Sequence, residues 1–106
     1  MSEYSYSREK LFNAINILAT GPGDVRSRLW SAYLEAHTLK ADNFPEELRG
    51  DWQFIYDNLT KYGSCDYKNV GSVQHTLRRI KNKTGSRIAD KFFHLFCEMC
   101  LSEKYC

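Results

Sequence analysis

Punctuation is scarce in this chain: two prolines and six glycines are spread over 106 residues, which leaves room for long uninterrupted helices. Strand-period alternation of any length is missing, as are internal repeats and low-complexity tracts, so sheet and solenoid architectures are excluded. No stretch approaches the roughly 18 consecutive apolar residues of a membrane span, and "MSEYSYSREK" has no apolar signal core. A cytoplasmic protein with no membrane partner is the expectation. The phosphate loop G-x4-G-K-[ST] is also absent, since the glycines of "TGPGDVR" (20–26) follow a helix rather than a strand. They read as a stop and a turn.

What is present is ordinary for a globular chain. Apolar residues at 42% and charged residues at 26% argue against wholesale disorder. The length gives one domain over residues 1–106, with a flexible N-terminus at 1–6. The fold class is all-α: a compact single-domain bundle of about five helices, with the C-terminal helix (about 85–101) central. Ser7 is placed to cap a first helix to about Ala19, and Asp24 to cap a second over about Val25–Leu39. "NFPEELRGDW" starts a third, with Pro45, Glu46 and Glu47 in its first turn. Its stripe is Leu48, Trp52, Ile55, Tyr56, Leu59 and Tyr62. Residues 63–71 form the main loop.

A short fourth helix, about Val73–Asn82, shows a narrow stripe of Val73, Leu77 and Ile80. Thr84 then caps the fifth. Ile88, Ala89, Phe92, Phe93, Leu95, Phe96, Met99 and Cys100 cover about half of its circumference, the width expected at the centre of a bundle.

Charge is segregated although the net value is only +2. Residues 42–66 hold six acids and two bases, whereas residues 67–91 hold seven bases and one acid. Arg78, Arg79, Lys81, Lys83 and Arg87 therefore form a candidate patch for nucleic acid or an acidic partner, since clustered cations suffice for phosphate contact. Bases near a helix end also stabilise its dipole, and a charged solvated surface is the reading preferred here. A helix-turn-helix fails on packing. With Gly85 as the turn glycine, the positions that must be small or apolar are Lys81, Lys91 and His94.

His94, Cys97, Cys100 and Cys106 are weak metal candidates. Zinc thiolate pairs at this spacing sit on tight turns, whereas Cys97 and Cys100 lie in a helical run whose phase points them apart. No cofactor is expected, and the thiols should be reduced. No catalytic residue is assigned: His37, His75 and His94 are far apart, and His37 reads as a partly buried imidazole on a second stripe with Trp30 and Leu34. Trp30, Leu34 and Phe54 lie off the main stripes and are candidate partner-surface residues, unless "EYSY" near the N-terminus covers Phe54.

The functional expectation is a small helical protein acting by protein–protein contact: an adaptor, inhibitor or regulatory subunit, bacterial or phage-like in its small size. The partner's identity is open. A homodimer would pair the acidic third helix of one copy with the basic fourth of another. A non-sequence-specific nucleic-acid-binding protein using residues 78–87 is the alternative, and a small enzyme or zinc protein is a remote third.

Overall fold

The computed structural model describes residues 4–63 and 71–101. Within them the chain forms α1 (Ser5–Thr20), α2 (Val25–Ala36), two 3-10 turns (Ala41–Asn43 and Glu46–Leu48), α3 (Arg49–Leu59), α4 (Ser72–Arg79) and α5 (Asn82–Leu101). No strand occurs among the described residues. The all-α bundle expected from periodicity is the observed fold.

Local chemistry explains where the helices begin and end. The Asp24 side chain accepts a hydrogen bond from the Ser27 amide, capping α2. Gly23 precedes it with φ +86°, a left-handed turn that side chains resist. Ser7, in contrast, is buried inside α1 and donates its hydroxyl to the Tyr4 carbonyl, so it is not a cap. The helix starts earlier, at Ser5, which corrects the flexible 1–6 segment for its last two residues.

α2 stops at Ala36 rather than Leu39, and the Leu39 amide turns back to the Ala36 carbonyl. The third element opens with the 3-10 turn of Glu46–Leu48, in which Pro45 precedes the first residue. It finishes as α3 at Leu59, short of Tyr62. The fifth helix begins at Asn82, so Thr84 and Gly85 lie in its first turn and do not break it. Most of the predicted 63–71 loop lies outside the described residues.

One core joins the helices. Leu11 and Ala14 of α1, Leu29 and Ala32 of α2, Ile55 and Leu59 of α3, and Ile88, Phe92, Leu95 and Met99 of α5 are all essentially solvent-free. Full burial of each large side chain contributes about 1.5–3 kcal/mol. Trp52 sits at the α3–α5 seam, stacked on Phe44 at 5.3 Å and edge-on to Phe92 at 6.2 Å. α5 packs against α1, α2 and α3, the central position its apolar width implied. That width nevertheless exceeds what its neighbours cover. Phe93 remains 50% exposed, with Ala89, Phe96 and Cys100 half-buried.

α3 shows the same excess more mildly: Trp52, Ile55 and Leu59 are buried, but Tyr56 and Tyr62 of the predicted stripe are exposed. Leu77, Val73 and Ile80 seat α4 on the core as expected. Polar ties fix its ends. The buried Thr76 hydroxyl accepts from the Tyr62 amide at 3.1 Å, His75 Nδ1 donates to the Gly63 carbonyl at 3.1 Å, and Arg26 donates to the Ile80 carbonyl at 3.2 Å.

Candidate functional site

The close contact between α2 and α5 orients the basic residues. A Cβ on Gly85 would lie 2.9 Å from Val25 Cγ1, so the glycine allows the two helix starts to meet. Lys83 and Arg87 each stand two residues from Gly85, about 200° round the helix, and so project away from α2. Arg79 turns toward the segment that follows α3, its guanidinium 4.9 Å from the centre of the Tyr62 ring. Lys81 is exposed at the α4–α5 junction. Arg78 alone of the five lines the groove between α2 and α4. The sequence cluster is therefore split among several directions.

That groove, of about 640 Å³, brings Arg78 together with Trp30, a residue singled out in the sequence on different grounds. Leu77 and Pro22 add apolar wall, while Gln74 and Ser27 add hydrogen-bonding groups. Trp30 and Gln74 also border a smaller hollow of about 240 Å³, walled by Tyr33 and Tyr56. Trp30 and Tyr33 stack at 6.3 Å with their planes 24° apart. Partial burial raises the Tyr33 hydroxyl pKa, and the nearby Tyr56 adds to the rise.

At the groove's edge Asp24 and Arg26 pair at 3.1 Å. The Ser27 amide, and after it Arg26, hold the Asp24 carboxyl below its ordinary pKa. Because a third Arg26 nitrogen is committed to Ile80, this pair is a structural brace. Among the described residues Arg78 has no ion pair, and it supplies the groove's uncompensated positive charge.

The other sequence candidates fall elsewhere. Leu34 is exposed on α2, beyond Trp30. Phe54 is 44% exposed on α3, with the Lys91 ammonium of α5 5.2 Å from its ring centre. Lys91 also reaches Asp51 at 3.5 Å, so a cation from α5 lies over Phe54. The N-terminal segment goes another way, with Tyr6 bonded to Thr38. His37 is exposed rather than partly buried, because α2 ends before it and its Nδ1 donates to the Leu34 carbonyl.

His94 is exposed and bonded to Asp90, while Cys97 and Cys100 are half-buried. Cys106 lies outside the described residues. Among those described, no three His, Cys, Asp or Glu side chains are grouped to hold a metal. No described helix is long and apolar enough to cross a membrane.

A second surface was missed in the sequence. Phe12 of α1 is 59% exposed and meets Phe96 of α5 at 6.1 Å between ring centres, with the exposed Phe93 one turn away on α5. Ile15, a turn on from Phe12, and Ala89, a turn before Phe93, are half-buried. None of the five side chains of this α1/α5 strip, Phe12, Ile15, Ala89, Phe93 and Phe96, is charged. Its signal was the excess width of the α5 arc, which requires more cover than a bundle neighbour provides.

Comparison with known proteins supplies no relative: no protein-family model, curated protein or solved structure matches the chain.

Proposed function

We propose that this protein acts by binding another protein, as an adaptor, inhibitor or regulatory subunit, and that the α1/α5 strip is its principal contact surface. The observation that carries the reading is the aromatic surface of the exposed Phe12 and Phe93 with the half-buried Phe96, which meets Phe12, continued by Ile15 and Ala89. Single exposed apolar side chains are normal, whereas a joined aromatic patch marks a contact surface. Aromatic residues are enriched at the centres of such interfaces because they bury much area for little lost side-chain freedom.

The split of the basic residues favours this reading over duplex binding. A phosphate backbone is held by several cations presented together, and here Arg78 lines the groove and Arg79 covers Tyr62, leaving only Lys83 and Arg87 to project together from α5.

The test is affinity purification from the native host with the wild-type chain and a Phe12→Gln/Phe93→Gln variant. A near-stoichiometric partner should accompany the wild type and be lost from the variant, at unchanged circular dichroism. Retention of the same partner at the same ratio would remove the strip from the reading. A partner that proves to be a second copy would appear as a halved mass of the variant in sedimentation.

A further inference from the structure

We propose that the α2/α4 groove is a separate peptide-binding site, selective for a short segment of a partner protein in which an acidic side chain adjoins a bulky apolar one. The inference rests on the groove's own chemistry and not on the α1/α5 strip. Its apolar component is Trp30 backed by Leu77. Trp30 is only partly buried and borders both hollows, so a side chain entering either one meets the indole. An aromatic wall of this kind is a common anchor for a partner's apolar residue.

Charge narrows the occupant further. Asp24 and Arg26 cancel, and Arg26 is fixed to both the Asp24 carboxylate and the Ile80 carbonyl. The groove is left with Arg78, a charge suited to one carboxylate. Gln74 stands between the two hollows with an amide that both donates and accepts, the pairing a peptide backbone requires. Along α2 from Asp24 to Tyr33 the track measures about 14 Å, enough for about four extended residues.

A single-stranded nucleic acid fits less well. It would stack on Trp30, but it brings a phosphate with every nucleotide. The wall offers one uncompensated cation, Arg78, while Lys83 and Arg87 face away. An exposed ion pair contributes little alone, so neither the acid nor the apolar residue suffices, and selectivity comes from having both.

The test uses the full chain and four labelled probes: a peptide alternating Glu with Leu, its Lys/Leu counterpart, an all-Glu peptide and oligo-dT. Binding is read by anisotropy and by tryptophan emission. Trp52 is buried, so a change on binding reports Trp30 and should vanish in Trp30→Phe. The Glu/Leu peptide should bind at least about tenfold more tightly than the other three probes. Arg78→Glu should weaken it about tenfold or more at unchanged helicity. Lys83→Glu, the same change of net charge on the outward face of α5, should leave affinity within about twofold. Equal losses from the two variants would reduce the effect to net charge and overturn the proposal. So would oligo-dT as the tightest probe, or no binding of the Glu/Leu peptide.

Discussion

The α1/α5 strip and the α2/α4 groove are opposites in composition and in origin. The strip is uncharged and joins residues whose helical phase already marks them as apolar: Phe93 and Phe96 on one helix, Phe12 and Ile15 on another. It exists because α5 carries a wider apolar arc than α1, α2 and α3 cover. The groove is mixed in polarity and joins Trp30 to Arg78, residues far apart in the chain. It exists because Arg26 fastens α2 to the end of α4. An exposed surface can thus arise from surplus periodicity, which one helix displays, or from convergence, which no single helix displays.

The largest effect should come from removing what both surfaces share. Trp52 is 4% exposed, stacked on Phe44 and set edge-on to Phe92, so it holds α5 on α3. Trp52→Ala should cost about 3–5 kcal/mol, much of a small domain's stability. Strip and groove should then be lost together in a denaturant titration. An unchanged midpoint would show that the two surfaces do not depend on the α3–α5 seam.

Gly85→Val should separate the two surfaces. The new side chain would press on Val25 Cγ1, and Val25 is β-branched and cannot swing aside. Overpacking of this sort costs about 1–3 kcal/mol. The strain falls where α2 meets α5, so groove binding should fall further than strip binding when both are measured on the surviving folded fraction. A thermal midpoint equal to the parent's would mean that the two helix starts lie further apart.

These residues also show what sequence reading could and could not reach. The five helices were legible because their stripes recur at helical spacing, and Asp24 was legible because capping chemistry is local. Thr84 was misread as the cap of the fifth helix, which begins at Asn82: a glycine after Thr looks the same whether it opens a helix or admits a neighbour inside one, and only Val25 distinguishes the two. His37 was placed on a buried stripe by extending α2 one turn too far. The basic cluster appeared as one patch because nearness in sequence ignores phase. Arg78 and Arg79 are adjacent, yet one enters the groove and the other covers Tyr62.

Smaller still should be the stability cost at the strip itself. Phe12 and Phe93 keep half or more of their surface in water, so replacing each by Gln should cost less than about 1 kcal/mol. The measurement is chemical denaturation of the double variant beside Trp52→Ala. A loss rivalling that of Trp52 would place these rings in the core and abolish the distinction between surplus and shared apolar surface.

The smallest effect, with the sharpest signature, belongs to the brace at the groove's edge. Asp24→Asn keeps an N-cap of similar quality but removes the charge that faces Arg26. In the wild type the Ser27 amide, and then Arg26, lower the folded-state pKa of Asp24 below its ordinary value. A carboxylate with a depressed folded pKa binds more protons when unfolded than when folded over the interval between the two values. Its stabilisation is complete above the unfolded pKa of about 3.9 and disappears as pH falls through the lower, folded value. The wild type should therefore exceed Asp24→Asn in stability by a small constant amount at neutral pH. That excess should close below about pH 4. It should also shrink with added salt, because the pair is open to solvent. Parallel pH–stability curves with no convergence in acid would show that the carboxylate contributes only as a cap. The fastening of α2 to α4 would then rest on the Arg26–Ile80 hydrogen bond alone.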